Sequence, residues 1–494
     1  MGHNLIIVYG NQDVTYIDLA ELSTSKITFG TSEKNDIQLN SSLVNDKHGY
    51  LEIVNDKCSI YDCNSLNGIY INGIKLQSCE LKDGATVRID SEIVPHKEGV
   101  VMVYSTYPVK GEWSKIALKE NITLGRDPDC DIRINHTSVS GLHAEIYLDT
   151  DWCIKGGDRT SGMIINGNLK GESGAVHRLE EKDVICIANS KFIYTSGMLV
   201  HNADIGVTLR VESLTRVVTV KGKTAKARGS KIILNKVNIE LEPHEFIAII
   251  GGAGAGKTTF LNAICGFERA NSGSVQFNDV NLYENFAHLK HMIGYVPQHD
   301  IVHKALTLRR MLWYVAKIRH ARDLSPEEIN KNIDDVLDTL EMRMHENKLI
   351  GKLSGGQRKR ASIAVELLSN PSIFFVDEPT TGLDLDTEEQ LMKILRSLAH
   401  EQGKTILMVT HNVQNLDLCD KVLIFGSKET ENQDGETNLL EPGGHLCYYG
   451  PPGEITAFFG VESLVQVYKL IKTNPEDWAR KRSEGKREQQ EIRK

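Results

Sequence analysis

A glycine-rich segment in the second half of the chain has the residue types and spacing that bind phosphate. The apolar run Phe246 to Ile250 predicts a strand before it, and Phe260 to Phe267 predicts a helix after it. Glycines at such a junction let backbone N–H groups surround phosphate oxygens at a helix N-terminus. We expect Lys257 to neutralise phosphate and the Thr258 hydroxyl to face Mg²⁺. The segment matches G-x-x-x-x-G-K-T and consists of Gly251, Gly252, Ala253, Gly254, Ala255, Gly256, Lys257, Thr258 and Thr259.

Two neighbouring carboxylates, Asp377 and Glu378, follow a second apolar run from Ser372 to Val376. Carboxylates at the C-terminal edge of a parallel sheet lie where α/β folds bind ligands. Asp377 suits Mg²⁺, and Glu378 suits an attacking water. An isolated pair of this kind is also compatible with a helix cap or a solvated strand end.

Between these two segments lies Leu353-Ser354-Gly355-Gly356-Gln357, which runs directly into a predicted helix from Arg358 to Leu368. A serine at the N-cap, two glycines and the exposed N–H groups of a helix start form an anion site.

Taken together, these motifs resemble the ATP-binding head of ABC-type transporters, whose signature sequence is LSGGQ. Three further residues match that family in order: Gln298 resembles its Q-loop glutamine, Asp384 in Thr380-Thr-Gly-Leu-Asp resembles its D-loop, and His411 resembles its switch histidine. The resemblance covers roughly residues 205–430. It implies an ATPase with ATP and Mg²⁺ as cofactors, working as a head-to-tail homodimer.

The resemblance also implies roles for individual residues. Glu378 is the expected general base and His411 the expected γ-phosphate sensor; Lys257 completes the catalytic set. Thr258, Gln298 and Asp377 are the expected Mg²⁺ ligands, and Gln298 links the metal to a transport domain. The remaining nucleotide contacts are expected from the glycine-rich loop, from the signature of the partner copy (Ser354, Gly355, Gly356 and Gln357), and from Asp384.

One family feature is absent. The first strand reads Leu214-Thr-Arg-Val-Val218, without the aromatic ring that usually stacks on adenine in these heads. Base stacking contributes about 1–3 kcal/mol in nucleic-acid sites. We therefore predict weaker or less base-selective nucleotide binding.

The amino-terminal part contains an internal repeat. Gly30 and His48 recur as Gly125 and His143, and Asn72-Gly73 recurs as Asn166-Gly167. Short alternating strands separated by Asn-Gly or Asp-Gly turns predict two all-β sandwiches.

Both copies resemble forkhead-associated (FHA) domains, which bind phosphothreonine. The second copy keeps Gly125-Arg126 and Ser140, with Arg159-Thr-Ser161-Gly162 in place of the family's Ser-x-Asn-Gly. Arg126, Ser140 and Ser161 are its expected phosphopeptide contacts. The first copy keeps Ser65 and Asn67 but has Thr31 and Asn45 instead of the arginine and serine, so phosphate binding is favoured in the second. Structural or protein-docking sandwiches are the alternative.

The predicted fold is therefore multidomain: two all-β FHA-like sandwiches at 1–108 (degenerate) and 109–200, then an α/β nucleotide-binding domain at 205–460, with a charged helical connector or tail at 461–494. Ser325-Pro-Glu-Glu328 predicts a capped helix within a helical insert at about 305–345. Arg358-Lys-Arg360 and the stretch Tyr448 to Gly460 resemble the type-2 exporter heads, including the G subfamily.

Composition restricts the remaining possibilities. With 57 basic and 66 acidic side chains the net charge is -9, which argues against nucleic acid as a partner. Nine scattered cysteines without a C-x-x-C pair indicate a reduced compartment. The longest apolar runs have the length of strands and are too short to cross a bilayer, so we expect no transmembrane segment in this chain.

The leading hypothesis is the ATP-hydrolysing part of an exporter at the cytoplasmic face of the cell membrane. Its membrane-spanning domain would be fused in the full-length protein or be a separate subunit, and its regulators would be a phosphothreonine protein and a Ser/Thr kinase. A soluble ABC ATPase not coupled to transport and a phosphopeptide-binding scaffold are the alternatives.

Overall fold

The computed structural model describes the chain apart from residues 1–2, 10–13, 20–21, 23–25, 55–56, 72–73, 82–84, 91–98, 106–113, 120, 135, 158–162, 166–167, 171–174, 181–182, 189, 196, 203–205, 222–227, 279, 320–323, 429–442 and 492–494. The turns predicted at Asn72-Gly73 and Asn166-Gly167 lie outside the described residues. The chain divides into two compact units, Met1–Ile205 and Gly206–Lys494.

The first unit begins with a β-sandwich, module 1, which has a six-stranded sheet in the order β2-β1-β11-β10-β7-β8 and a five-stranded sheet in the order β4-β3-β5-β6-β9. Its strands are β1 (Asn4–Tyr9), β2 (Val14–Asp18), β3 (Lys26–Gly30), β4 (Ile37–Gln38), β5 (Gly49–Val54), β6 (Lys57–Asp62), β7 (Ile69–Ile71), β8 (Ile74–Leu76), β9 (Ser78–Leu81), β10 (Thr86–Ile89) and β11 (Val100–Ser105).

A second sandwich, module 2, repeats this arrangement with sheets β12-β22-β21-β20-β17-β18 and β14-β13-β15-β16-β19. Its strands are β12 (Ser114–Ala117), β13 (Asn121–Gly125), β14 (Ile132–Arg133), β15 (Ala144–Leu148), β16 (Trp152–Gly156), β17 (Met163–Ile165), β18 (Asn168–Lys170), β19 (Val176–Arg178), β20 (Val184–Ile187), β21 (Ser190–Thr195) and β22 (Met198–Asn202).

Strand alternation explains why the repeat folds twice in the same way. In β3 the buried side chains of Ile27 and Phe29 follow an exposed Lys26, and β13 has the same inward and outward pattern. Buried hydrophobic side chains between the two sheets form a separate core in each module. The prediction of two all-β sandwiches is confirmed.

The second unit contains a six-stranded sheet, β28-β29-β30-β25-β31-β32, that is parallel except for the edge strand β32, and a four-stranded sheet, β24-β23-β26-β27. Its strands are β23 (Leu209–Lys221), β24 (Arg228–Leu241), β25 (Phe246–Gly251), β26 (Ser272–Phe277), β27 (Val280–Asn281), β28 (Ile293–Val296), β29 (Ile373–Asp377), β30 (Thr405–Val409), β31 (Lys421–Gly426) and β32 (His445–Gly450).

Helices cover the parallel sheet, whose central strands are buried along their whole length. These helices are α1 (Lys257–Ile264), α2 (Phe286–Leu289), α3 (Leu308–Arg319), α4 (Pro326–Thr339), α5 (Gly355–Leu367), α6 (Leu385–His400), α7 (Ile455–Phe459), α8 (Leu464–Thr473) and α9 (Pro475–Glu491). The predicted helical insert is α3 and α4, and α4 begins with the predicted capping box of Ser325 and Glu328.

The segment predicted as a connector or tail folds as α8 and α9 within the second unit. Val467 and Ile471 of α8 are buried in the core of that unit. From α9, the Arg482 Nε donates to the Leu446 carbonyl at 3.0 Å. The apolar side of α8 packs against β31 and α9 packs against β32, so this segment is part of the second unit.

Candidate nucleotide site and candidate phosphopeptide site

The glycine-rich loop joins β25 to α1, as the sequence predicts. Within it, the Lys257 Nζ donates to the carbonyls of Gly251 and Gly252, at 3.0 Å each. Burial lowers the pKa of Lys257, whose carboxylate neighbours Glu378 and Asp377 act in the opposite direction. Gly256 has a φ of 87°, and a Cβ there would lie 2.9 Å from the Ile233 carbonyl oxygen, so only glycine fits. The loop thus presents backbone N–H groups and an ammonium group.

Two oxygen ligands suited to Mg²⁺ meet at the end of β29. The Thr258 Oγ1 donates to the Asp377 Oδ1 at 3.2 Å. Asp377 is buried, and burial together with the neighbouring Glu378 charge raises its pKa. Hydroxyl, carboxylate and amide oxygens match the donor set that Mg²⁺ prefers, with phosphate supplying further ligands. Among the described residues, no cluster of three or more His, Cys, Asp or Glu could hold a metal by itself.

Glu378 lies where three structural elements converge. Its carboxylate contacts the His411 Nε2 at 2.8 Å and accepts hydrogen bonds from the Gln298 Nε2 at 2.8 Å and the Thr381 Oγ1 at 3.1 Å. Strands β28, β29 and β30 are parallel neighbours, so the residues that follow them share one sheet edge. The structure therefore brings together three residues that are at least 33 positions apart in the sequence.

The backbone at Glu378 is strained. Its φ is 47°, in the left-handed region that costs a non-glycine residue free energy and is concentrated at functional sites. The Glu378 N–H donates to the Val409 carbonyl at 3.0 Å, which holds this conformation against β30.

The signature sequence begins α5. The Ser354 side chain accepts a hydrogen bond from the Gln357 N–H, and the Gln357 Oε1 accepts one from the Ser354 N–H at 3.0 Å. This capping box fixes the start of the helix, and the N–H groups of Gly355 and Gly356 belong to its first turn. The helix N-terminus at which the sequence predicts an anion site is present, and anion binding there stays a prediction.

Asp384 of the D-loop motif caps α6. Its carboxylate accepts hydrogen bonds from the Thr387 N–H and the Thr387 Oγ1, at 2.9 Å each, and these bonds lower its pKa. The geometry shows a capping function for this residue; its nucleotide contact stays a prediction.

Two residues that sequence reasoning did not assign connect the signature helix to the Q-loop. Lys359, in the second turn of α5, is buried and donates to the Gln298 carbonyl, and its ammonium lies 3.4 Å from the Asp300 carboxylate. Arg358 reaches the same carboxylate. The sequence shows Arg358-Lys-Arg360 only as a basic run that resembles a family feature. The burial of Lys359 indicates a paired partner, because lysine is almost never fully buried without one.

In module 2, Arg126 and Ser140 come together. The Arg126 N–H donates to the Ser140 carbonyl at 3.0 Å, and the Arg126 Nε donates to the Val139 carbonyl at 3.3 Å. Both residues are largely buried. Ser161, the third predicted contact, lies outside the described residues. Arg133, which sequence reasoning missed, is exposed beside Arg126 and donates from its Nε to the Arg126 carbonyl at 3.3 Å.

Module 1 has no guanidinium at the equivalent positions. Thr31 replaces Arg126 and donates to the Asp46 Oδ1 at 3.0 Å, so a carboxylate stands beside it. Gln38 takes the place of Arg133 and donates to the Thr31 carbonyl at 3.1 Å. Ser65 bonds the fully buried His48 at 2.9 Å, which makes that histidine a structural residue. A phosphate dianion would find no permanent cation among these residues.

Comparison with known proteins finds two families whose models match parts of this chain. Residues 234–381 match the family "ABC transporter", and residues 27–90 and 122–188 each match "FHA domain". The ABC transporter ATP-binding/permease protein Rv1747 of Mycobacterium tuberculosis is 33% identical over 72% of this chain. ABC transporter G family member 1 of Dictyostelium discoideum is 32% identical over 53% of it.

The chain spans only part of these relatives, covering 38% of the mycobacterial protein and 31% of the Dictyostelium protein. A solved dimeric ATP-binding cassette, MJ0796 with ADP and Pi, is 27% identical over 44% of this chain and 93% of that one, with a TM-score of 0.40. None of the helices among the described residues is both long and apolar enough to span a bilayer.

Proposed function

Because the chain joins two FHA domains to an ATP-binding domain of the ABC transporter family, we propose that it is the ATP-hydrolysing part of an exporter regulated by phosphothreonine recognition. The observation that carries the hydrolytic function is the position of Glu378, strained and held between His411 and Gln298 at the sheet edge beside Lys257.

In this proposal, Glu378 orients a water molecule and accepts its proton as the water attacks the γ-phosphate. Lys257 and the N–H groups of the glycine-rich loop hold the phosphates, and His411 contacts the γ-phosphate. Thr258, Asp377 and Gln298 would hold Mg²⁺, which supplies positive charge to the β- and γ-phosphate oxygens. The catalytic contribution of the protein is mainly positioning and electrostatic stabilisation.

A head-to-tail homodimer completes the site, with the N-terminus of α5 from each copy facing the γ-phosphate bound by the other. The capping box of Ser354 and Gln357 supports this function, because it holds the first turn of the helix with N–H groups available to an anion.

Transport requires a membrane-spanning domain, either in the full-length protein or as a separate subunit, and would place this chain at the cytoplasmic face of the membrane. The names of the two relatives, a permease fusion and a G family member, support that partner. A phosphothreonine protein, made by a Ser/Thr kinase, would dock on module 2 through Arg126, Ser140 and Ser161.

The test is a pair of matched variants. Glu378→Gln should lower ATP turnover by at least about 100-fold, because a general base contributes on that order, and should give an ATP-dependent dimer in sedimentation velocity. Glu389→Gln, at an exposed carboxylate of α6, should behave as the parent. Equal turnover in the two variants would remove Glu378 from the mechanism.

A further inference from the structure

His345 contacts the signature motif from outside it. It lies in the loop between α4 and α5, and its Nε2 is 3.0 Å from the Gln357 Nε2. Gln357 is the residue whose side-chain oxygen completes the capping box on the Ser354 N–H. The histidine ring therefore supports the side chain that fixes the first turn of the signature helix.

The hydrogen-bond chemistry fixes the form of the ring. Because the Ser354 N–H is a donor, the Gln357 oxygen must face it, and the Gln357 NH₂ group must then face His345. An NH₂ group only donates, so the His345 Nε2 must be an unprotonated acceptor. The proton of the neutral ring is then on Nδ1, a buried atom without a hydrogen-bond partner in the described part of the chain.

Protonation of His345 is incompatible with this arrangement. Both ring nitrogens would then be donors, and the Nε2–H would oppose the Gln357 NH₂ group. Rotation of the amide would restore that contact but would turn the NH₂ group towards the Ser354 N–H, which also donates. Either response breaks the hydrogen bond from the Ser354 N–H to the Gln357 side-chain oxygen.

The charged groups around the ring oppose protonation too. Burial, Lys348 in the same loop and Arg360 of α5 lower the pKa of His345. The nearby carboxylates are paired elsewhere, Glu341 with Arg360 at 3.1 Å and Glu346 with Arg309 at 2.8 Å. The ring is therefore neutral at and above neutral pH, and the arrangement becomes less stable as the pH falls below the ordinary histidine pKa.

We propose that His345 is a positioning residue for the signature motif: its unprotonated Nε2 holds Gln357, so that the ATP-dependent dimer requires a neutral ring at position 345. This inference rests on the proposed ATPase dimer. His345 itself touches neither nucleotide nor the reacting atoms; it acts through Gln357.

The experiment compares three chains in the Glu378→Gln background: the parent, His345→Gln and His345→Leu. The readout is the ATP concentration that gives half-maximal dimer in sedimentation, at about pH 8 and about pH 5.5, which bracket histidine titration. The glutamine can place an oxygen acceptor near the ring-nitrogen position and does not titrate; the leucine has no acceptor.

At the higher pH, the leucine variant should need about three- to tenfold more ATP than the parent, the equivalent of one hydrogen bond, and the glutamine variant should match the parent. At the lower pH, the parent should shift towards the leucine variant while the glutamine variant shifts less. His400→Gln is the control histidine, because His400 pairs with Asp420 at the other end of α6 from the D-loop cap and should leave the pH dependence unchanged.

Hydrogen exchange distinguishes an error in the proposed ATP-dependent dimer from an error in the function inferred for His345. Exchange of the peptide covering residues 354–358, corrected for intrinsic rates, should be faster in the leucine variant than in the parent even without ATP. If no variant dimerises but this difference is present, the dimer is wrong and the positioning function of His345 stands. If dimers form and exchange and pH dependence are the same in all three chains, the inference about His345 is overturned.

Discussion

At the scale of single residues, Glu378 is the residue to which the proposed hydrolysis assigns the general base. Its left-handed backbone and its contacts with Gln298, Thr381 and His411 fix the position of its carboxylate at the end of β29. Such strain persists only where neighbouring elements over-determine the conformation, here through the bond from the Glu378 N–H to β30. A carboxylate held this rigidly can orient a water without reorganisation during the reaction.

Arg126 gives a prediction at the same scale. Arg126→Ala should abolish binding of a phosphothreonine peptide pool to the first unit, because it removes the permanent positive charge of a residue that lies beside Ser140. Arg178→Ala, at an exposed arginine of β19 that pairs with Asp151, is the matched control and should bind as the parent. Fluorescence anisotropy against the unphosphorylated pool gives the measurement, and unchanged affinity in Arg126→Ala would contradict the assignment.

Base selectivity is a second prediction for single residues. With no aromatic ring between Leu214 and Val218, ATP loses a stacking contact of about 1–3 kcal/mol. We expect GTP to compete with ATP to within about tenfold in a displacement assay, which corresponds to about 1.4 kcal/mol of discrimination. Tight and strictly adenine-specific binding would show that another group supplies the contact.

At the scale of elements, the signature helix is packed closely against α6. A Cβ on Gly356 would lie 2.4 Å from the Thr387 Cγ2, whereas a Cβ on Gly355 would meet its nearest neighbour, Leu383, at 3.8 Å. The Thr387 N–H is also the group that donates to the carboxylate of Asp384, the residue that caps α6. Gly356 of the signature motif therefore lies directly against the Thr387 methyl group, next to the D-loop motif.

This packing predicts an asymmetry between adjacent glycines. Gly356→Ala should lower the free energy of unfolding of the second unit by about 1–3 kcal/mol, as expected for overpacking, while Gly355→Ala should change it by less. Thr387→Ser, which removes the Cγ2 methyl but keeps the hydroxyl bonded to Asp384, should recover most of the loss in the double variant. Urea denaturation of the parent, the three single variants and the double variant gives the measurement. If Thr387→Ser does not restore stability to Gly356→Ala, the overpacking is not against the Thr387 methyl group.

At the scale of the whole molecule, module 1 and module 2 of the first unit are joined by a shared core. Apolar side chains that point away from the core of each sandwich meet between β1 and β11 of module 1 and β21 and β22 of module 2. Their members are Ile6, Val8, Val101, Val103, Ile193 and Val200. Module 1, which has Thr31 in place of Arg126, thus contributes buried surface that supports module 2.

The shared core predicts that the modules unfold together. Val200→Asp places an unpaired carboxylate in this core and should cost at least about 3 kcal/mol, with increased hydrogen exchange in β1 and β11 as well as in module 2. Val176→Asp, at an exposed position of β19, is the matched control and should leave module 1 protected. Protection of β1 and β11 in Val200→Asp equal to that in the control would show that the modules are independent.

Several features were determined by the sequence alone. The glycine-rich loop, the capping boxes at Ser325 and Ser354 and the repeated sandwich pattern depend on residues adjacent in the chain, so local spacing is sufficient to identify them. The FHA and ABC resemblances rest on the same short motifs, and the family comparisons confirm them.

Other features required the tertiary structure. Gln298, Glu378 and His411 converge because β28, β29 and β30 are parallel neighbours, and no local pattern specifies which strands are adjacent. The buried Lys359, the Gln357 contact with His345 and the core between the two modules each join segments distant in sequence. The same limit applies to residues 461–494: their charged composition predicts a helical connector or tail, whereas the buried side chains of Val467 and Ile471 pack α8 into the core.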